Sequence, residues 1–362
     1  MKRCSPSTST SRTSPIAFAP SGDALFMTQL SSSPAARPPS RLARIQGPVQ
    51  ERLDDVMGEI RRIVVNDLDL LDEVNDVFLR MRGKLFRPTL LLLVNEVGGR
   101  PHPDALPLAA VVELVHLATL VHDDAVDHSV LRRGLPTINH LWNHQVAIIS
   151  GDYLYTRSVV ELARLERMDA IQSLARAANE MTVGELRQLT SYDALDFTEE
   201  DYRRLIASKT ASLMAAACEI GALAGPVESK DPFRRYGHAL GMAFQVADDL
   251  LDYDGSEELT GKPVGHDLRE RKVTLPLVHT LRSVAGQDRE EIRNFFTRVD
   301  PSDEEIAAIV EIVRRTGGLE YARSEARRYA SEARSALEEV GARGDAMDSL
   351  HAAIEYAIER RR

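Results

Sequence analysis

The sequence predicts an all-α protein, a bundle of long helices around a central cavity. Three observations lead to this prediction. From about residue 50 onward, apolar residues recur at the three- and four-residue spacing of helices that bury one face. Ala, Leu, Glu and Arg, which favour helix, are plentiful. No segment shows the alternation of apolar and polar residues that indicates a half-buried strand.

The chain divides into two regions of different composition. Residues 1–46 are rich in Ser and Pro and lack periodic apolar residues, so we expect a disordered extension. The same Ser-rich, Arg-containing and acid-poor composition also fits a transit peptide, and Met27 offers an alternative start; both alternatives stay open. Residues 47–362 form the predicted all-α domain.

Glycine and proline residues mark the breaks between the predicted helices, as at residues 98–101, 134–136, 225–226, 261–263 and 317–318. The segments between the breaks predict helices at 105–130, 137–165, 170–192, 198–224, 230–254, 267–286, 302–316, 318–340 and 346–361. Helices of this length in an acidic chain pack as a bundle with a central seam or cavity.

Charge and cysteine content exclude several classes of protein. The net charge is −10. Residues 1–46 contribute six basic residues and one acidic, a net of +5, so the remainder carries −15, which argues against nucleic acid as a partner. Only Cys4 and Cys218 are present, too few for a disulfide framework, and we expect a cytoplasmic protein. Residues 107–122 come closest to a membrane span, but Glu113 and His116 interrupt them, so we expect no transmembrane segment.

One acidic pattern, Asp-Asp-x-x-Asp, occurs twice, at residues 123–127 and 248–252. On a helix its first and fifth positions share one face, and the second Asp lies on the flank. A single copy is more often a solvated helix face. Here both copies follow apolar residues, and carboxylates so close together resist burial unless a cation compensates them. Such oxygens suit Mg²⁺, which commonly bridges to substrate phosphates.

Basic residues surround the two acidic motifs. A single Arg or Lys is usually a surface ion-pair partner, but several at this spacing indicate a site for diphosphate groups, which Arg often binds in a bidentate manner. They are Lys84, Arg87, Arg132, Arg133, Lys209 (followed by Thr210), Lys262 and Lys272.

At this level the sequence resembles the trans-isoprenyl diphosphate synthases. The resemblance runs from about residue 50 to the C-terminus, with the long-chain octaprenyl and solanesyl diphosphate synthases as the nearest type. It is carried by residues 83–88, 116–127, 132–134, 151–154, 209–210, 244–252 and 261–265. The resemblance implies the all-α isoprenoid synthase fold and a homodimer.

The resemblance also implies roles for individual residues. Isopentenyl diphosphate would be held by Lys84, Arg87, His116 and Arg133. The allylic diphosphate would be held by Arg132, Lys209, Thr210, Gln245, Lys262 and Lys272. Asp123, Asp127 and Asp248 would bind Mg²⁺ directly, three ions in all, with Asp249 and Asp252 completing the metal site. The catalytic set would be Asp123, Asp124, Asp127, Arg132, Lys209, Asp248, Asp249 and Lys262.

The implied reaction is metal-assisted ionisation of the allylic diphosphate, followed by attack of the isopentenyl double bond on the carbocation. Its product would be an all-trans polyprenyl diphosphate. Water must be excluded, because it would quench the cation. No side-chain nucleophile is required, and the sequence shows no nucleophile elbow or His-Glu-x-x-His motif.

Product length is predicted from the helix that carries the first acidic motif. Thr119, Ala118 and Val115 lie four, five and eight residues before Asp123, with Val112 one turn deeper. In the resembled family, aromatic residues at such positions block the product tunnel. Small residues here predict a product longer than geranylgeranyl, although they could equally pack a helix interface.

Three alternatives remain. A geranylgeranyl or farnesyl diphosphate synthase would differ in product length only. A class I terpene cyclase would lack the Lys84 and Arg87 site, and a non-catalytic subunit of a heteromeric synthase would commonly lose one acidic motif. Two residues depart from the family pattern, Asn143 and Arg271, each at a position where glycine is common.

Overall fold

Helices make up almost all of the regular structure, which confirms the predicted all-α class. The computed structural model describes residues 40–80, 83–190, 195–225, 229–254, 265–298 and 300–359. The helices in the first half are α1 (Arg41–Gln46), α2 (Gln50–Ile63), α3 (Asp69–Arg80), α4 (Phe86–Glu96), α5 (Ala105–Val126), α6 (Ile138–Leu141), α7 (His144–Arg164) and α8 (Met168–Thr190). A 3₁₀ turn (Gly47–Val49) joins α1 to α2, and a hairpin of β1 (Leu131–Arg132) and β2 (Leu135–Pro136) follows α5.

In the second half, α9 (Glu199–Ile206) continues through a π-helical turn (Ala207–Ala211) into α10 (Ser212–Ala224). The remaining helices are α11 (Asp231–Asp254), α12 (His266–Arg269), α13 (Leu275–Ser283), α14 (Gly286–Thr297), α15 (Asp303–Arg315), α16 (Gly318–Val340) and α17 (Asp345–Ile358). Capping boxes begin α9 at Thr198 and α15 at Ser302, which fixes both starts close to their predicted positions.

The domain begins earlier than predicted. The boundary was expected between residues 46 and 47, but α1 lies before it and buries Ile45 in the core. The Gln46 side chain also donates to the Lys84 carbonyl oxygen at 2.9 Å. The prediction of disorder was therefore wrong for residues 41–46, because one short helical turn is too brief to show periodicity. Residues 1–39 lie outside the described residues.

Four predicted helices differ in detail. The helix predicted at 137–165 is two helices, α6 and α7, because the extended backbone of Asn143 interrupts it. The helix predicted at 105–130 ends at Val126, where Asp127 caps it and His128 turns into a left-handed conformation (φ 50°), and the hairpin follows. The helix predicted at 267–286 is broken, because Arg271 is left-handed (φ 63°) and Pro276 occupies the first turn of a new helix. The helix predicted at 198–224 contains the π-turn.

Two helices, α5 and α11, position the acidic motifs at their C-terminal ends. Helix α5 packs against α2, α4, α7 and α10, and α11 packs along α10 and α16. Helix α11 contributes its first half to one apolar cluster and its second half to another. The bundle is therefore built around the two helices that carry the aspartates.

Two stretches are long and apolar enough to cross a membrane by length and composition alone, Ala105–Val126 and Glu199–Ala224. The sequence predicted no transmembrane segment, because Glu113 and His116 interrupt residues 107–122. Within their most apolar windows, 72% and 78% of the residues are buried inside the protein. They are the core helices of the bundle.

Candidate active site

The first aspartate cluster lies at the C-terminal end of α5. Asp124 is buried, Asp123 is half-buried and Asp127 is exposed. The end of a helix carries partial negative charge from its unpaired carbonyl groups, which adds to the repulsion among the three carboxylates. The position therefore requires cations.

A hairpin supplies one cation to Asp124. The Arg132 Nε donates to both carboxylate oxygens of Asp124, at 2.8 and 2.7 Å. The turn that follows has positive φ at both central residues, Arg133 (53°) and Gly134 (77°), as in a type I′ turn. This turn directs Arg133 away from Asp124, and its guanidinium lies against Gly83. The neighbouring arginines thus serve two different groups of residues.

Electrostatic interactions connect Asp123 to two further helices. Burial raises its pKa to about 6. The positive charge of Lys209 on the π-turn opposes this shift, while the negative charges of Glu185 on α8 and Asp127 add to it. Asp123 is therefore close enough to both Lys209 and Glu185 for their charges to act on it.

The second cluster lies in the last turns of α11. Asp249 is buried and accepts hydrogen bonds from the Tyr202 hydroxyl (2.6 Å) and the Gln245 amide (2.8 Å). Burial raises its pKa to about 8, with Asp267 as the next contribution. The two donors fix the orientation of Asp249, and Asp248 lines the cleft beside it.

Asp252, the last residue of the second motif, holds the backbone at the start of α12. Its two carboxylate oxygens accept the backbone N–H groups of His266 and Asp267, each at 3.0 Å, at the start of α12. Asp252 therefore anchors the segment that returns to the site after α11. A metal-binding role for this residue stays a prediction.

Lys209 and Thr210 lie on the π-turn between α9 and α10, a helix irregularity that is frequent at functional sites. The Lys209 ammonium donates to Glu185 (2.6 Å) and Gln188 (3.0 Å) of α8. The Thr210 hydroxyl donates to the side-chain amide oxygen (Oε1) of Gln245 at 2.8 Å. Because Gln245 in turn donates to Asp249, one hydrogen-bonded chain joins the π-turn to the second cluster.

The two clusters face one another across a cleft of about 1120 Å³. It is lined by Asp127 of the first cluster, by Asp248 and Asp249 of the second, and by Lys209, Thr210, Gln245 and Lys272. The Lys272 ammonium donates to Glu270 at 2.6 Å and interacts electrostatically with Asp267 and Asp127. Lys262 lies outside the described residues.

A second group of cationic residues surrounds the loop before α4. Lys84 is exposed and donates to the Tyr356 hydroxyl at 3.2 Å. The Arg87 Nε is buried, and no described residue accepts a hydrogen bond from it. Burial, followed by the charges of Arg87 and Arg133, lowers the pKa of His116 well below its ordinary value, so this imidazole is neutral. Of the four residues predicted to hold isopentenyl diphosphate, Arg87 and Arg133 act electrostatically on His116, and Lys84 lies in the loop three residues before Arg87.

Sequence reasoning missed several residues of the site. Glu185 and Gln188 hold Lys209, and Tyr202 and Asp267 act on Asp249. Glu113, noted in the sequence only as a charge within an apolar stretch, is buried, and the charges of Arg87 and Arg133 act on it. Glu185 and Gln188 are three residues apart, which places both on one helix face, and this spacing after Gly184 could have been noticed in the sequence. The role of Tyr202 depends on tertiary packing and has no such signal.

The residues predicted to determine product length lie inside the bundle. Val112, Val115 and Ala118 are buried in the apolar cluster around α5, and Thr119 is half-buried. The Thr119 hydroxyl donates to the His116 carbonyl oxygen at 2.8 Å. None of the four lines the cleft described above. Their role as a tunnel wall stays a prediction.

The two departures from the family pattern have local explanations. The Asn143 side chain caps α7 by accepting the Val146 N–H at 2.9 Å. Arg271 donates to the Phe295 carbonyl oxygen at 2.8 Å and stacks over the Phe295 ring. Arg271 is thus tied to α14, although it lines the cleft.

The donor chemistry of the cleft fits Mg²⁺, since its carboxylate oxygens are hard ligands. Within the described part of the chain, no three His, Cys, Asp or Glu side chains are placed to hold an ion by themselves. This suits an ion that takes its remaining ligands from water and substrate phosphates.

An all-α bundle whose central cleft combines two aspartate clusters with several cations is typical of proteins that bind diphosphates. The polyprenyl synthetase family model matches residues 68–313. The chain belongs to this family of trans-prenyltransferases and has its isoprenoid synthase fold.

Individual relatives agree with this assignment. The heptaprenyl diphosphate synthase component 2 of Geobacillus stearothermophilus is 36% identical over 289 residues, 79% of this chain and 88% of that protein. The octaprenyl diphosphate synthase of Escherichia coli (strain K12) is 36% identical over 278 residues, 75% and 85% of the two chains. The structure of a polyprenyl synthase from Caulobacter crescentus CB15, complexed with calcium and isoprenyl diphosphate, is similar with a TM-score of 0.82 and 31% identity, covering 89% of this chain and 98% of that one.

Proposed function

We propose that this protein condenses isopentenyl diphosphate with an allylic diphosphate to give an all-trans polyprenyl diphosphate longer than geranylgeranyl. The observation that carries the proposal is a single cleft lined by Asp127 of the first cluster, by Asp248 and Asp249 of the second, and by the cations Lys209 and Lys272. A cleft with carboxylates on two sides and cations between them can hold a diphosphate together with divalent ions.

Ionisation of the allylic substrate falls to this cleft. Mg²⁺, held by Asp123, Asp127 and Asp248, would neutralise negative charge on the departing diphosphate. We propose three such ions in the site. Lys209 has to leave Glu185 to reach a diphosphate, while Arg132 is already oriented by Asp124. Fixed cations stabilise the leaving group without reorganisation during the reaction.

The isopentenyl diphosphate would bind in the neighbouring group of Lys84, Arg87, His116 and Arg133. Arg87 carries a buried Nε without a partner among the described residues, which favours an anionic ligand there. The neutral His116 can donate one hydrogen bond to a phosphate oxygen. Separate diphosphate sites favour a condensing enzyme over a terpene cyclase, which needs only one.

A long product is supported by the small side chains on α5 before Asp123. Ala118 and Thr119 are smaller than the aromatic residues that would block a tunnel here, and the chain resembles heptaprenyl and octaprenyl diphosphate synthases. A C20 or shorter product would instead indicate that another side chain closes the tunnel.

We also propose that the protein is a cytoplasmic homodimer. The outer face of α7 exposes apolar side chains, Ile149 at 64% and Val160 at 55%, and such a patch favours association. We expect sedimentation analysis to give a dimer and Ile149→Glu to give a monomer. Val65→Glu, at a similarly exposed position outside α7, should leave the dimer intact.

The function is tested by incubating the purified chain with isopentenyl diphosphate, farnesyl diphosphate and Mg²⁺, then separating the products by chromatography. We expect elongation beyond C20, abolished by Asp248→Asn and retained by Asp231→Asn, an exposed position at the start of the same helix. A cyclic hydrocarbon would indicate a terpene cyclase. No elongation by the chain alone would indicate a subunit that depends on a partner.

A further inference from the structure

The loop before α4 has an unfavourable backbone conformation. Leu85 occupies the N-cap position of α4 in the left-handed region (φ 50°, ψ 37°). Only glycine, asparagine and aspartate adopt this region readily, and a leucine side chain cannot accept the hydrogen bond with which N-cap residues stabilise a helix start. The start of α4, which presents Lys84 and Arg87, therefore needs support from elsewhere in the chain.

Gln46, the last residue of α1, provides that support. Its side-chain amide nitrogen donates to the Lys84 carbonyl oxygen at 2.9 Å and to the Thr89 hydroxyl at 3.1 Å. The Thr89 hydroxyl in turn donates to the Leu85 carbonyl oxygen at 2.7 Å. A primary amide has two N–H donors, so Gln46 uses both of them on this loop and on the first turn of α4.

Helix α1 is itself attached to the bundle, so Gln46 does not depend on the loop for its position. Ile45, the preceding residue, is buried in the core at 2% exposure. Helix α1 also packs against α17, and Arg41 forms an ion pair with Glu359 just beyond the end of that helix. The amide of Gln46 is therefore a fixed point to which the loop is bound.

Helices α11 and α17 hold side chains of the same loop. The Phe86 ring stacks on Phe244 of α11, with centroids 5.8 Å apart, and lies 5.7 Å from the Tyr356 ring of α17. The Lys84 ammonium donates to the Tyr356 hydroxyl at 3.2 Å. These contacts restrain side chains, whereas Gln46 restrains the backbone from which the side chains project.

We propose that Gln46 is a positioning residue for isopentenyl diphosphate, because it holds the loop before α4 so that Lys84 and Arg87 meet the diphosphate in one geometry. This inference rests on the proposed function, in which both residues bind that diphosphate. The allylic diphosphate is assigned there to the cleft lined by Lys209 and Lys272. Loss of the Gln46 amide should therefore affect one substrate and not the other.

The test is steady-state kinetics of elongation with Mg²⁺, in which isopentenyl diphosphate and farnesyl diphosphate are varied in turn. Gln46→Met keeps the length of the side chain and removes both donors. We expect the KM for isopentenyl diphosphate to rise roughly tenfold, since hydrogen bonds that order its binding site are lost. The kcat and the KM for farnesyl diphosphate should stay unchanged, as when only ground-state binding of one substrate is weakened.

Gln50→Met is the matched control. Gln50 is an exposed glutamine at the start of α2, and its amide donates to Asp54 of the same helix at 2.7 Å. This variant should behave as the wild type.

Thr89→Val is a second variant, because it removes the hydroxyl that links Gln46 to the Leu85 carbonyl oxygen. It should raise the same KM. Combined with Gln46→Met, it should raise that KM by less than the product of the two single effects, since both residues belong to one hydrogen-bond network.

An unchanged KM for isopentenyl diphosphate in Gln46→Met would overturn the inference. An equal rise in both KM values, or a loss of kcat alone, would also overturn it, because either result indicates a general loss of structure. Thr89→Val is judged by the same criteria if Gln46→Met does not fold. Absence of elongation by the wild type would overturn the proposed function as well.

Discussion

Replacing Gly241 by alanine tests how closely α11 must approach the π-turn. A Cβ at this position would lie 2.5 Å from the Ala211 Cα and 3.0 Å from the Ala211 Cβ. Carbon atoms pack at about 3.5–4.0 Å, so the helix and the turn must separate by roughly 1 Å. Both neighbours of the new methyl group belong to the backbone or sit directly on it, and neither can rotate away.

The magnitude follows from two opposing effects. Overpacking of this kind costs about 1–3 kcal/mol of unfolding free energy, and the better helix propensity of alanine returns about 1 kcal/mol. The larger consequence is for the site. Gln245 lies one turn after Gly241, and the separation would stretch its 2.8 Å hydrogen bond with Thr210. A displacement of about 1 Å can reduce catalysis by about 10²-fold.

The assay combines thermal unfolding with steady-state kinetics of elongation. We expect Gly241→Ala to lower the melting temperature and to lower kcat/KM by about two orders of magnitude. Gly58→Ala, on the exposed face of α2 with nothing within 4 Å of the new Cβ, should be stabilised by about 0.5–1 kcal/mol with unchanged kinetics. Wild-type stability and kinetics in Gly241→Ala would refute the reasoning.

Three further changes probe the site. Tyr202→Phe removes a hydrogen bond that lowers the pKa of Asp249, so the acidic limb of the kcat/KM profile should move to higher pH. Tyr236→Phe removes another buried hydroxyl and should leave the profile in place. Equal profiles for the wild type and both variants would contradict this expectation. Without Mg²⁺, the raised pKa of Asp249 contributes stability that is present below about pH 4 and is lost as pH rises through about 8. In thermal melts, Asp249→Asn should therefore gain stability relative to the wild type over that range. A constant difference between the two proteins would contradict this expectation. Ala118→Phe should shorten the products seen by chromatography while Ala118→Val keeps them long; unchanged length in the phenylalanine variant would remove Ala118 from the tunnel wall.

The acidic motifs and their cationic neighbours could be predicted because their chemistry is local. Asp123 and Asp127 share a helix face by spacing alone, and the second motif repeats that spacing. The chemistry of diphosphate binding then requires cations, and Lys209 and Lys272 were among the basic residues predicted to surround the motifs. Asp127, Lys209 and Lys272 line one cleft in the structure.

Other features could not be predicted because they arise from packing or from very short elements. The hairpin has strands of two residues, which show no periodicity, and only Gly134 signals its turn. The π-turn depends on how α10 fits against α11. The sequence showed Glu113 only as an interruption of an apolar stretch, because Arg87 and Arg133, whose charges act on it, are distant in sequence. The contact of Tyr202 with Asp249 spans 47 residues and has the same origin.

In the proposed function, the two aspartate clusters together bind divalent ions and one diphosphate. The most direct measurement is a crystal structure with Mn²⁺ and a thio analogue of an allylic diphosphate that cannot ionise, with the ions located by anomalous scattering. We expect manganese at Asp123 and Asp127 and also at Asp248, with the diphosphate between them. Manganese at one cluster only, or a diphosphate outside the cleft, would contradict it.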